Sequence, residues 1–136
     1  MTLLQDTCPG LVQQIERGAL NGSKTRTMLE SVLRPMMDRG IDTIVLGCTH
    51  YPFVIPLIQE IVGPEVRVID PAPAVARQVA RLLDSKRMRA AGSRSGTLRF
   101  FTSGKATQFE RLLPRLFDET GMVWEVFWEN NEIRIK

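Results

Sequence analysis

The residues best suited to chemistry lie together in one short segment, Gly47 to Pro52, which reads GCTHYP. It contains the single histidine of the chain, His50, and one of its two cysteines, Cys48. A thiolate serves as a nucleophile, a base or a metal ligand, and an imidazole transfers protons near neutral pH. Three interpretations of Cys48 are open on these residues alone: an inert buried side chain, a functional thiol, or a ligand in a Cys2His zinc site with Cys8 and His50. No short ligand spacing supports the zinc site.

The pattern around this segment indicates how it is positioned. Residues 41–46 read IDTIVL, a β-branched apolar run typical of a buried parallel strand. The GCTHYP segment follows the carboxyl end of that strand, and a helix is predicted after it, over residues 56–63. Ligands bind at this end of parallel strands, and the start of a following helix favours a thiolate. The segment therefore has the location of a binding site.

The remaining pattern predicts an α/β fold. Two helices should precede the strand, one ended by Gly18 and one capped by Ser23, with Pro35 kinking or dividing the second. Residues 122–128 are predicted to form an exposed edge strand, which Asn130-Asn131 turns back into a last strand. The alternation of strand and helix predicts a mainly parallel sheet with flanking helices. Further strands are predicted at residues 66–69, 98–102 and 132–135, and further helices at 73–83 and 109–117.

Composition excludes several classes of protein. The chain has 136 residues, of which 43% are hydrophobic and 24% charged, as in an ordinary globular protein. The sequence contains no apolar run near the roughly 20 residues of a membrane span, and its first residues lack the pattern of a signal peptide. We therefore expect a cytoplasmic protein with reduced cysteines and no membrane partner.

A basic stretch between residues 77 and 99 accounts for the positive charge. It has seven Lys and Arg residues against one acidic residue, Asp84, within a chain of net charge +3. Such a stretch can meet phosphate groups, but it contains no aromatic side chain on which bases could stack. A solvated helix end and loop is the favoured interpretation, so no nucleic acid partner is expected.

The GCTHYP segment after a hydrophobic strand resembles the carboxyl-terminal half of glutamate racemases, in the aspartate/glutamate racemase superfamily. Three weaker segments occur in the same order as in that family, and the resemblance spans residues 7 to about 117. These segments are Cys8-Pro9 with Glu16 following, Ile69 to Ala72 running into a helix, and Phe100 to Gly104.

The resemblance implies an isomerase that interconverts L- and D-glutamate without cofactor or metal, and so supplies D-glutamate for peptidoglycan, the cell wall and cell shape. Two thiols on opposite faces of the substrate remove and return the α-proton. By the family pattern Cys48 is one of these catalytic thiols, and Thr49 and His50 contact the substrate. His50 also assists the thiol, and Glu16 orients His50.

The sequence departs from the family in one large respect. The family's amino-terminal half, with its Asp-Ser-Gly segment and the opposing cysteine, has no counterpart here, and Cys8 matches a non-catalytic segment. The family fold has two α/β domains, so residues 1–70 would be the later part of the second domain and 71–136 a returning segment that completes the first. We expect the isolated chain to be inactive and to associate with itself or with the missing half.

The sequence leaves two alternatives open. One is an aspartate racemase or another member of the superfamily, because the sequence does not show the length of the side-chain pocket. The other is a non-catalytic binding or regulatory remnant that uses the basic stretch.

Overall fold

The computed structural model describes residues 2–90 and 96–136, which form two compact units that divide after Ala90. Arg94 of the basic stretch lies outside the described residues. Over the described ranges, none of the helices combines the length and apolar character needed to cross a bilayer.

The first unit contains most of the predicted helices and one small sheet. Its strands β1 (Thr43–Val45) and β2 (Arg67–Ile69) pair in parallel, with Ile44 opposite Val68, and the crossover between them contains helix α3 (Ile55–Val62). Both strands are shorter than predicted. The elements are α1 (Leu11–Glu16), α2 (Ser23–Met37), β1 (Thr43–Val45), a 3-10 helix (Tyr51–Val54), α3 (Ile55–Val62), β2 (Arg67–Ile69) and α4 (Ala72–Ser85).

The core of the first unit lies where helices α1, α2 and α3 meet. Aliphatic residues three or four positions apart share one face of a helix, and those faces are buried against each other. The buried side chains are Leu11 and Ile15 of α1, Leu29 and Leu33 of α2, and Leu57, Ile58 and Val62 of α3. This packing fixes the end of α1 and the segment that precedes α3, where the candidate site residues lie.

Two expectations about α2 are wrong. Pro35 does not divide the helix, which is continuous from Ser23 to Met37. The ring nitrogen of Pro35 cannot donate a helical hydrogen bond. Because Pro35 lies in the last turn of α2, the loss of that one bond leaves the rest of the helix intact. Ser23 does not cap the helix either, because it is already the first helical residue and follows Gly22 in an extended conformation.

The second unit is a three-stranded sheet with one helix. Its elements are β3 (Phe100–Thr102), α5 (Ala106–Leu116), β4 (Val123–Glu129) and β5 (Glu132–Ile135), and the strand order is β3-β4-β5. The expectation that residues 122–128 form an edge strand is therefore wrong. Strand β4 is central, because it pairs in parallel with β3 as well as antiparallel with β5.

The predicted turn between β4 and β5 is confirmed. Asn130 and Asn131 have φ angles of 51° and 62°. A two-residue hairpin of this kind needs positive φ at both central positions, and asparagine tolerates that conformation better than most residues.

Candidate functional site

The GCTHYP segment leaves the sheet where the sequence placed it, at the carboxyl end of β1. Leu46 is buried and its N–H donates to the carbonyl of Ile69, which extends the strand pairing by one residue. Gly47 then begins a loop, and the N–H of Tyr51 donates to the carbonyl of Cys48 over 3.3 Å. Helix α3 begins only at Ile55, after the 3-10 turn. The predicted helix start near residue 56 is confirmed, and Cys48 lies seven residues before α3, in the loop that precedes the 3-10 turn.

The structure brings Glu16, Thr49 and His50 together. Nε2 of His50 lies 3.4 Å from Oε1 of Glu16, at the end of α1. Nδ1 of the same ring lies 3.5 Å from Oγ1 of Thr49. With the proton on Nε2 donated to the carboxylate, Nδ1 accepts from the hydroxyl of Thr49. Both ring nitrogens thus have a polar neighbour that restricts the orientation of the ring.

Burial at this cluster is partial. The side chain of His50 is 34% exposed and that of Glu16 is 51% exposed. An interaction of this kind at a solvated surface contributes little to stability, so its effect is mainly on the orientation of the imidazole. The expected position of Glu16 beside the apolar face of α1 agrees with this geometry, since Ile15 next to it is fully buried.

Cys48 lines a cavity of about 940 Å³ within the first unit. The lining includes Tyr51 and Arg39, to which the sequence pattern gives no role, but not Glu16, Thr49 or His50. Aliphatic side chains of α2 and β1 form much of the wall, among them Leu29, Val32, Leu33, Met36 and Ile44. Polar side chains also line the cavity, among them Gln5, Thr7 and Arg39.

Cys8 differs from Cys48 in its surroundings. It is buried, and its Sγ donates to the carbonyl of Met28 over 3.5 Å. Burial raises the pKa of the Cys8 thiol, and the negative charge of Asp6 raises it further. A thiol of this kind is unreactive near neutral pH, which agrees with the expected structural role. Within the described ranges, Cys8, Cys48 and His50 do not come together as a metal site, and no cluster of three His, Cys, Asp or Glu residues could hold a metal ion.

Comparisons of the sequence with known proteins give racemases. The sequence model of the Asp/Glu/Hydantoin racemase family matches residues 4–79. A glutamate racemase from Pseudomonas aeruginosa is 49% identical over 110 residues, which are 81% of this chain and 41% of that protein. One from a Roseiflexus species is 42% identical over 115 residues, 84% of this chain and 42% of that protein. The chain thus spans less than half the length of these relatives.

Solved structures give the same result for the fold. A glutamate racemase isoform from Bacillus anthracis matches with a TM-score of 0.75 and 29% identity over 85% of this chain and 43% of its own. The fold is also that of the glutamate racemase from Francisella tularensis in complex with D-glutamate, with a TM-score of 0.75 and 22% identity over 90% of this chain and 45% of its own.

These findings confirm the resemblance and the partial racemase-like α/β fold. The family match covers more than half of the chain and includes Glu16 and the whole GCTHYP segment. The chain belongs to the Asp/Glu/Hydantoin racemase family.

Proposed function

We propose that the chain is the carboxyl-terminal part of a glutamate racemase, in which Cys48 is one of the two thiols that exchange the α-proton. The observation that carries this proposal is the contact of Glu16 and Thr49 with the two nitrogens of His50, two residues from Cys48 at the carboxyl end of β1. Family membership and curated relatives that are glutamate racemases support it.

The proposed reaction needs proton transfer on both faces of the α-carbon. The Cys48 thiolate accepts the α-proton of one enantiomer, or its thiol donates a proton to the carbanion formed from the other. His50, oriented by Glu16, holds or moves a proton beside the thiol. The second thiol and the other wall of the site come from the half of the family fold that has no counterpart in this chain.

The proposal extends to the organisation of the complete fold. We assign residues 1–70 to the later part of the second racemase domain and residues 71–136 to the segment that returns to the first. The product D-glutamate would serve peptidoglycan synthesis in the cytoplasm. Cys8 and Cys48 are both free thiols, as in proteins of a reducing compartment.

A chimera tests the proposal. The part of the Pseudomonas aeruginosa racemase that this chain does not match is joined before it, and conversion of L-glutamate to D-glutamate is followed with a coupled assay. We expect the chimera to racemise glutamate and Cys48→Ser to lower its turnover by about 10²- to 10⁴-fold, the usual contribution of one acid/base group.

Cys8→Ala is the matched control, because it removes a thiol that the proposal leaves out of the reaction. It should retain most of the turnover of the chimera. Full activity in the Cys48→Ser chimera would contradict the proposed role of Cys48. Faster turnover with aspartate than with glutamate would instead support the aspartate racemase alternative.

A further inference from the structure

In the described part of the second unit, residues 96–136, one face of the sheet is apolar and is not covered by a helix. Helix α5 packs on the opposite face, where the rings of Phe100 and Phe109 meet edge to face at 6.4 Å and Glu125 accepts the N–H of Ala106. The strand registers place six large apolar side chains on the other side of the sheet. This open face consists of Phe101, Trp124, Val126, Trp128, Ile133 and Ile135.

Exposure on the open face is greatest near the β4–β5 hairpin, although Phe101 on β3 is also 44% exposed. Phe101 and Trp124 pack on each other with ring centroids 5.5 Å apart. In contrast, Trp128 is 72% exposed and Ile133 is 60% exposed. Contiguous exposed apolar surface of this kind marks an interaction site.

Strand β5 also has a free backbone edge within the described part of the chain. The N–H of Lys136 donates to the carbonyl of Glu125, so these two residues form a hydrogen-bonded pair between β5 and β4. Hydrogen-bonded and non-hydrogen-bonded pairs alternate along antiparallel strands. The N–H and C=O groups of Ile133 and Ile135 therefore point away from β4, where they are available to another strand.

We propose that a second copy of this chain pairs antiparallel with β5, about a two-fold axis that passes through Ile133. Ile133 then exchanges both backbone hydrogen bonds with the partner's Ile133. In this register Glu132 lies directly opposite the partner's Arg134, and Arg134 opposite the partner's Glu132. The two three-stranded sheets become one six-stranded sheet, and the two open faces become continuous.

Complementary charges favour a second copy of this chain as the partner of β5, and they favour the register about Ile133. Shifting the pairing by one residue would place Glu132 opposite the partner's Lys136, but it would also place Arg134 opposite the partner's Arg134. The register about Ile133 has no like charges opposite each other. Pairing about a two-fold axis also closes the assembly at two copies, because it uses the same edge of both. Dimerisation through β5 does not depend on the proposed racemase chemistry, so each can fail without the other.

Sedimentation velocity of the 136-residue chain over a range of concentrations tests the dimer. We expect a monomer–dimer equilibrium in which Glu132→Arg or Arg134→Glu alone weakens dimerisation about ten-fold or more, because each places like charges opposite each other twice. The double variant E132R/R134E should restore it, since opposite charges face each other again. Glu65→Arg, at an exposed position in the first unit, is the control and should leave the equilibrium unchanged.

The double variant also separates the interface from folding. In the double variant, the guanidinium introduced at position 132 would lie directly opposite Glu129 in the hairpin. The new ion pair would replace the present one between Arg134 and Glu129. Circular dichroism of the double variant should therefore match that of the unchanged chain. A monomer at every concentration, association that no charge reversal changes, or failure of the double variant to restore dimers would each overturn the proposal, as would open-ended growth of the assembly.

Cross-linking locates the axis independently. In this register Glu132 and the partner's Arg134 form a non-hydrogen-bonded pair, with Cα atoms about 4.5 Å apart, within the range that a disulfide spans. A mixture of Glu132→Cys and Arg134→Cys chains should therefore give a disulfide-linked dimer under oxidising conditions, with peptide mapping showing a bond between residue 132 of one copy and residue 134 of the other. Ile135→Cys, opposite the partner's Asn131, should not. Equal cross-linking of the mixture and of Ile135→Cys would overturn the register.

Discussion

At the scale of single residues, the cluster around His50 shows how much depends on one contact between distant parts of the chain. Glu16 ends α1, whereas Thr49 and His50 lie in the loop after β1. Each ring nitrogen of His50 has one polar neighbour, at 3.4 and 3.5 Å. In the proposed racemase the carboxylate keeps the ring oriented, so Glu16 is a positioning residue and not one that touches the substrate.

The first prediction concerns Glu16→Gln in the chimera. The amide keeps the size of the side chain but removes the charge that faces Nε2, so the imidazole is held less firmly. We expect turnover to fall by about 10- to 100-fold, the usual cost of a misplaced catalytic group, with a smaller change in KM. Steady-state kinetics and the pH profile of kcat measure this.

Glu65→Gln is the matched control for that variant, because Glu65 is also an exposed glutamate of the first unit. It should leave both kinetic parameters unchanged. If Glu16→Gln behaves like the control, then Glu16 is a surface charge without a part in the reaction.

The sequence predicted the location of the site better than its geometry. A buried apolar run followed by Gly47 indicates a strand end, because apolar periodicity and glycine both act locally. The contact of Glu16 with His50 followed only from the family resemblance, since it joins residues that are distant in the sequence. The 3-10 turn that separates Cys48 from α3 was not predicted, because Pro52 and Pro56 fit the start of either kind of helix.

At the scale of elements, the position of β4 shows a limit of local patterns. Alternating polar and apolar residues indicate that a strand has one covered face, but they do not show which strands lie beside it. Strand β3, which pairs with β4, is separated from it in the sequence by helix α5. Because this pairing is non-local, the pattern of residues 122–128 does not indicate it. The hairpin with β5 was predicted correctly because the two asparagines between the strands act locally.

The second prediction concerns Glu125, which joins β4 to the start of α5. The N–H of Ala106 holds the pKa of Glu125 below its ordinary value of 4.5, and Lys105 and Lys136 lower it further. A carboxyl with a lowered pKa in the folded state stabilises the fold above its unfolded pKa, and loses that effect as the pH falls through its folded pKa. Glu125→Gln should therefore lower Tm at pH 7, and the difference from the unchanged chain should shrink below pH 4.5.

Thermal unfolding followed by circular dichroism between pH 7 and pH 3 measures this difference. Glu119→Gln is the control, because Glu119 is an exposed carboxylate in the same unit and should show no such dependence. A difference in Tm that is constant with pH would contradict the prediction, because it would mean that the ionisation of Glu125 does not contribute to stability.

At the scale of the whole molecule, the length of the chain determines what chemistry it can perform. The chain covers 41% of the Pseudomonas aeruginosa racemase that it matches. Inversion at the α-carbon needs an acid or base on each of two faces, because a single group that removes and returns the proton on one face preserves the configuration. The chain has two cysteines, and burial raises the pKa of Cys8 away from a catalytic range.

The last prediction is that the isolated chain does not racemise glutamate at a useful rate. Cys48 alone can exchange the α-proton on one face, so slow incorporation of deuterium without inversion is the most that we expect. Without the half of the family fold that has no counterpart here, the carbanion would form without the preorganised, water-excluding site on which such reactions depend. A coupled assay for D-glutamate, together with NMR of α-proton exchange in D2O, separates inversion from exchange. Racemisation by the isolated chain at the rate of the chimera would show that these 136 residues contain a second acid/base group, and that inversion here does not need the missing half of the fold.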